Sequence, residues 1–145
     1  MERIYFDNAS TSFPKAPGVS EAVYHYIKDC GCNVNRGGYS EAYQAEEAVL
    51  CTRQQLADLF HGPDCRNVVF TGNITESLNV LLKGFLKSGD HVLVSAMEHN
   101  AVMRTLHAME EQKGIQIKVL PVQSDGQIDL EKTGNQFKAE SPRLI

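Results

Sequence analysis

The sequence lacks several features that mark common classes of protein. No stripe of lysine and arginine runs through its 145 residues, and the formal net charge is −4, so neither nucleic acid nor an anionic membrane is expected as a partner. No apolar run approaches the roughly 20 residues that a membrane-spanning helix needs. The first residues contain no apolar signal segment. The expected compartment is therefore the cytoplasm.

The spacing of the cysteines does not predict a metal site. The four cysteines are Cys30, Cys32, Cys51 and Cys65. Without a secretory signal they are expected to be reduced thiols. Cys30-Gly31-Cys32 is the only close pair, its spacing differs from the C-x₂-C of zinc knuckles, and no second ligand pair follows. We predict no metal ligand and expect free thiols in a turn and a helix.

The residues that are present have the balance of a soluble globular domain, with 42% hydrophobic and 22% charged residues. Apolar periodicity predicts helices at residues 19–27 and 41–60 and in the segments that carry Leu78 to Leu86 and Val102 to Met109. Short apolar runs predict strands at residues 67–70 and 91–95. Alternation of apolar with polar residues predicts a third strand at residues 115–119. Alternation of strands and helices with short connections predicts an α/β fold, a mainly parallel sheet with flanking helices.

The last five residues predict a further strand. Ser141-Pro142-Arg143-Leu144-Ile145 has the pattern of a strand entry. Three strands form a narrow parallel sheet whose edges need cover. We therefore expect the chain to be truncated relative to its natural domain.

Two loops lie where a ligand is expected, beyond the carboxyl ends of parallel strands. In the loop at residues 71–75, Gly72 lets the backbone approach a ligand, and the following helix start favours a phosphate. Thr75 either donates to that phosphate or merely caps the helix. In the second loop, His99 either has no special task or stacks on a flat ring and moves protons. The first of these loops, at residues 71–75, does not match the Walker A or the G-x-G-x-x-G pattern.

Several segments, taken in order, resemble one protein family. They are Tyr5-Phe6-Asp7-Asn8-Ala9-Ser10-Thr11, residues 33–39, residues 46–53, Phe70-Thr71-Gly72-Asn73-Ile74-Thr75-Glu76-Ser77-Leu78-Asn79, Gly89-Asp90-His91-Val92-Leu93-Val94 and Glu98-His99-Asn100. Over nearly its whole length the sequence resembles the N-terminal portion of the class V aminotransferases, and among them the NifS-like cysteine desulfurases.

The resemblance implies a cofactor and its ligands. It implies a truncated large domain of the fold-type I transferases, which depend on pyridoxal 5'-phosphate (PLP). Thr75 and the backbone N–H of Ile74 are implied to hold the cofactor phosphate. His99 is implied to stack on the pyridine ring and to help move protons as a catalytic residue.

The resemblance also implies a substrate region and a division of the chain. The residues implied to contact the substrate are Asn8, Ala9, Ser10, Asn35 and Arg36. Residues 1–40 are implied to form an N-terminal segment and helix that line the active site. Residues 41–145 are implied to form the first, incomplete part of the PLP-binding large domain.

The reaction implied is the conversion of L-cysteine to L-alanine, with sulfur passing as a persulfide towards iron–sulfur cluster assembly. The full-length enzyme is implied to be a homodimer that delivers sulfur to an acceptor protein. PLP chemistry needs a Schiff-base lysine, and a desulfurase also needs a nucleophilic cysteine. No lysine here matches a Schiff-base motif, and no cysteine occupies the nucleophile position. The 145-residue chain alone is therefore expected to be inactive.

Two departures from the family pattern leave the substrate open. Ser10 replaces the usual alanine, and Tyr39 stands where relatives often carry histidine. A selenocysteine lyase and a class V aminotransferase are alternatives. A non-catalytic remnant or interaction module that can still dimerise is another. A flavodoxin-like domain with a different phosphate ligand has no supporting motif.

Overall fold

The computed structural model of the protein describes residues 4–139 and 141–145. The chain forms two compact units, which meet in sequence between Val69 and Phe70. The described helices are α1 (Val19–His25), α2 (Ser40–Leu59), α3 (Ile74–Phe85), α4 (Asn100–Lys113) and α5 (Leu130–Ala139), and the strands are β1 (His91–Val94) and β2 (Gln116–Val119). None of the described helices has the length and apolar character needed to cross a membrane.

The first unit is built around the long helix α2. Its buried apolar side chains, within the described residues, are the alanines Ala42, Ala45 and Ala57. A π-helical turn, Tyr26–Cys30, continues α1. Gly31 then adopts a left-handed conformation (φ 51°), which ends the helical segment as a glycine C-cap does. The predicted helices at residues 19–27 and 41–60 are confirmed.

The second unit contains the parallel sheet. β1 and β2 pair in parallel, with His91 opposite Gln116 and Val94 opposite Val119. On the other side of β1 the backbone of Leu144 makes a parallel bridge with Val92. The α/β prediction is thus confirmed, and so is the strand-like pairing predicted for the last five residues.

One hydrophobic cluster joins the elements of the second unit. β1 and α4 contribute two side chains each, α3 and the residue that follows it contribute one each, and the residue before β2 adds another. The buried members are Leu82, Leu86, Val92, Val94, Leu106, Met109 and Ile115. Because both helices pack on this cluster, their N-terminal ends are held near the carboxyl end of β1.

The strand predicted at residues 67–70 is wrong. The backbone N–H of Asn67 donates to Asp64 (3.1 Å), and that of Val68 donates to Cys65 (3.1 Å). These N–H groups are therefore used in a local 3₁₀ turn rather than in a ladder. The Val69 side chain is 74% exposed, so the apolar run is not buried within this chain.

Candidate functional site at the starts of α3 and α4

The start of α3 is closed by a reciprocal capping pair. The Asn73 side-chain oxygen accepts from the N–H of Glu76 (2.9 Å), and the Glu76 carboxylate accepts from the N–H of Gly72 (2.8 Å). A Cβ on Gly72 would stand only 3.0 Å from that carboxylate. Gly72 therefore lets the Glu76 side chain reach back over the loop.

The cap is Asn73 and not Thr75, so the capping alternative for Thr75 is wrong. Within the described part of the chain, no protein group accepts from the N–H of Ile74, the N–H of Thr75 or the Thr75 hydroxyl. These three donors lie at the positive end of the helix dipole. Together they form a site suited to an anion.

The Asn73 cap carries a first stability prediction. We expect Asn73→Ala to lower the free energy of unfolding by about 1 kcal/mol, because the N–H of Glu76 loses its acceptor. Urea denaturation followed by circular dichroism measures the effect. Asn135→Ala, at an exposed position in α5, is the matched control and should change little. Equal stability of the two variants would contradict the capping role.

His99 lies after β1 and caps α4. Its Nδ1 accepts from the N–H of Ala101 (3.1 Å). The neutral ring therefore carries its proton on Nε2. The preceding loop is closed by its own side chains, since the Ser95 hydroxyl donates to the Glu98 carboxylate (2.8 Å). The imidazole is thus held through one nitrogen, and the other remains able to donate.

A cleft of about 400 Å³ lies between α3 and α4. Both helices contribute one face, and the residue that caps α4 lies at its rim. The lining residues are Thr75, Asn79, Lys83, His99, Asn100, Ala101, Arg104, Thr105 and Ala108. The structure therefore brings the two predicted residues Thr75 and His99 to one cleft. Ile74 stands beside it with a side chain that is 71% exposed.

The cleft carries positive charge. Lys83 and Arg104 line it, no carboxylate does, and neither cation forms an ion pair with another described residue. Two helix N-termini add to this field. Lys83 and Arg104 were not predicted as site residues. The signal for Lys83 is its spacing from Thr75 and Asn79, since positions i, i+4 and i+8 share one face of a helix.

The predicted substrate residues at 8–10 lie in a loop of the first unit that is closed by its own side chains. The Asn8 side-chain oxygen accepts from the N–H of Phe13 (3.1 Å). The Ser10 hydroxyl donates to the Asp7 carboxylate. Ala9 lies between them in the turn. The Asn8 amide group is thereby held by the backbone, with its NH₂ group left to donate.

Asn35 and Arg36 lie in a second loop of the first unit. Asn35 adopts a left-handed conformation (φ 64°), which asparagine tolerates better than most residues. Arg36 is exposed. In the part of the chain that the structure describes, no hydrogen bond joins this loop to residues 8–10. The substrate roles, like the division at residues 40 and 41, stay predictions.

Comparison with known proteins shows the family. The sequence pattern of the class-V aminotransferases matches residues 4–145, and the chain belongs to that family. It is 40% identical over 133 residues to the cysteine desulfurase IscS of Photorhabdus laumondii, an alignment that covers 88% of this chain and 32% of the relative. The predicted resemblance to cysteine desulfurases is thus confirmed.

Solved structures give the same fold. The apo cysteine desulfurase of Thermococcus onnurineus NA1 aligns with a TM-score of 0.79 at 29% identity, over 93% of this chain and 34% of that one. A NifS-like protein aligns with a TM-score of 0.72 at 26% identity, over 90% and 36%. The chain therefore spans about a third of the length of these relatives.

Proposed function

We propose that this chain is part of a PLP-dependent cysteine desulfurase and that its cleft between α3 and α4 holds the phosphate of the cofactor. The observation that carries the proposal is the meeting of Thr75 and His99 at one positively charged cleft. The complete enzyme would convert L-cysteine to L-alanine and pass the sulfur as a persulfide. Similarity to cysteine desulfurases supports this substrate.

The donors at the cleft fit a phosphate group. Among the described residues, the N–H groups of Ile74 and Thr75 and the Thr75 hydroxyl have no protein acceptor, and a phosphate monoester brings three strong acceptor oxygens. Lys83 and Arg104 offset its charge. When bound, PLP supplies an electron sink for the bonds of the substrate amino acid.

His99 has two tasks in this proposal. Through Nδ1 it keeps the start of α4 in place. Its Nε2 carries a proton that could move to or from the reacting group, and its flat ring would stack on the pyridine of bound PLP. At the substrate end, the residues that would contact the amino acid are those implied by the family pattern: Asn8, Ala9, Ser10, Asn35 and Arg36. A homodimer and a sulfur-acceptor protein complete the proposed system.

Removal of the Thr75 hydroxyl tests the phosphate site. We expect Thr75→Val to weaken PLP binding to the chain by roughly 10- to 100-fold, because a hydrogen bond to a charged group contributes about 1.5–3 kcal/mol. Calorimetric titration measures the affinity. Pyridoxal, which lacks the phosphate, should bind equally to both proteins.

Thr52→Val is the matched control, since Thr52 is exposed on α2 and donates only to Ala48. It should leave PLP binding unchanged. An unchanged affinity of Thr75→Val for PLP would place the phosphate elsewhere and overturn this part of the proposal.

The chain by itself is proposed to be inactive. Lys83 is the only lysine of the described residues that lines the cleft, and it matches no Schiff-base motif. Borohydride reduction in the presence of PLP should therefore leave no single modified lysine. A specific adduct on one lysine would contradict the proposed inactivity.

Sulfide release separates the desulfurase from its alternatives. A version extended to the full length of the relatives should release sulfide from L-cysteine in the presence of a reductant. PLP binding without sulfide release would exclude the desulfurase and leave a selenocysteine lyase or an aminotransferase.

A further inference from the structure

We propose that Cys30 and Cys32 form a redox site, a dithiol that a small-molecule disulfide converts into an intramolecular disulfide. The two sulfur atoms lie 3.4 Å apart. Both residues are half-buried and carry free thiols. The site lies entirely within the first unit and uses none of the residues assigned above to PLP.

The backbone already holds the two cysteines in a closed turn. Gly31, between them, is left-handed (φ 51°), and its N–H donates to the carbonyl of Tyr26 (2.7 Å). The Tyr26 hydroxyl donates to the carbonyl of Cys32 (2.8 Å). Tyr26 thus holds the turn at two points, through its backbone carbonyl and through its side-chain hydroxyl. Because a disulfide is about 2.0 Å long, the sulfurs need to approach by only about 1.4 Å.

The hydrogen bonds assign different parts to the two thiols. The Cys30 thiol donates to the carbonyl of Glu41 (3.2 Å), so the proton between the sulfurs comes from Cys32. Partial burial raises the pKa of the Cys32 thiol, and the neighbouring Cys30 raises it further, while a hydrogen bond with Tyr39 lowers it in part. The Cys32 thiol therefore holds its proton to higher pH than a free cysteine does. Cys30, which lines a cleft, is the attacking thiol.

A small molecule can reach Cys30 through a cleft. It lines an open cleft of about 260 Å³ together with His25, Asp29 and residues of α2. A disulfide of glutathione size can present one sulfur at the mouth of such a cleft. Neither Cys51 nor Cys65 has a second sulfur in contact among the described residues.

The exchange balances in two steps. Cys30 first loses its proton to solvent, and its thiolate attacks one sulfur of the external disulfide, which forms a mixed disulfide and releases one small thiolate that takes up a proton from solvent. Cys32 then loses its proton to solvent and attacks the Cys30 sulfur, which forms the Cys30–Cys32 bond and releases the second small thiolate, protonated in the same way. Two protein thiols are oxidised, and one external disulfide is reduced to two thiols.

Peptide mass spectrometry after treatment with glutathione disulfide tests the proposal. Trypsin yields the peptide Asp29–Arg36, which contains both Cys30 and Cys32 and no other cysteine. We expect this peptide to be lighter by two hydrogen atoms, while the peptides with Cys51 and Cys65 carry glutathione or no modification. In urea the ratio of closed to glutathione-bound peptide should fall at least about tenfold, because the turn is no longer preorganised.

Variants distinguish a preorganised pair of thiols from two cysteines that react independently. In the Cys32→Ser variant the reaction should stop at the mixed disulfide, which leaves glutathione bound to Cys30. Tyr26→Phe, which frees the Cys32 carbonyl, should lower the closed fraction several-fold. The control Tyr43→Phe, at an exposed position of α2, should not. The proposal is overturned if the folded chain retains glutathione on this peptide, if the peptide stays unmodified while Cys51 reacts, or if the urea-unfolded chain closes as readily.

Discussion

Replacement of His99 by asparagine is expected to lower the proposed desulfurase activity of the complete enzyme by about 10²- to 10⁴-fold, the range that a positioned general acid or base contributes. Asparagine is a good helix N-cap, so its side chain can replace His99 Nδ1 as acceptor for the N–H of Ala101. The variant therefore removes the imidazole Nε2 and the flat ring while keeping the start of α4. Initial rates of alanine formation at several cysteine concentrations measure kcat and KM.

His107→Asn is the matched control for this variant. His107 lies on the same helix, is exposed, does not line the cleft, and pairs with Glu110 (3.3 Å). Its replacement should leave kcat within about twofold, as expected for a surface position. If His99→Asn retained the same activity as this control, His99 would have only its capping role.

Truncation of Leu106 is expected to have the largest effect on folding. Leu106 is fully buried in α4, at the centre of the cluster that joins α3, β1 and α4. Leu106→Ala should lower the free energy of unfolding by about 2–5 kcal/mol, because it removes buried methyl groups and leaves a cavity. A domain is stable by only about 5–15 kcal/mol in all, so the unfolding midpoint should fall markedly.

Urea denaturation followed by circular dichroism measures the effect of Leu106→Ala. The control is Leu130→Ala, since Leu130 is 79% exposed at the start of α5. The control should change the free energy of unfolding by less than about 0.5 kcal/mol. Equal stability of the two variants would mean that the cluster around Leu106 does not support the second unit.

The helices and the paired strands could be predicted because their signals are local. The apolar residues of α2 and α4 recur with helical spacing, and Gly62 and Gly114 follow their ends. The segment that became β2 alternates polar and apolar residues, and the run that became β1 is short and apolar. Residues 67–70 show the same kind of run and form no strand, because pairing depends on a neighbouring backbone that sequence pattern does not reveal.

The candidate site was predictable only in part. Thr75 and His99 were found because each belongs to a loop that was predicted to follow a strand. In the structure the loop with His99 follows β1, whereas the loop with Thr75 follows residues 67–70, which form no strand. Residue type alone does not predict whether Asn73 or Thr75 caps α3, since asparagine and threonine both cap helices. The choice depends on which side chain reaches the N–H of Glu76, and that is a matter of local geometry.

The sequence by itself determined the family, the parallel α/β character and the two loops that carry Thr75 and His99, because each has a signature of residue type and spacing. Only the tertiary structure decided that Lys83 and Arg104 share the cleft with them, since these residues lie on two helices whose packing on one hydrophobic cluster sets their separation. It also decided that the sulfurs of Cys30 and Cys32 face each other at 3.4 Å. That approach depends on Gly31 turning the chain and on the Tyr26 hydroxyl holding the Cys32 carbonyl, which spacing alone does not specify.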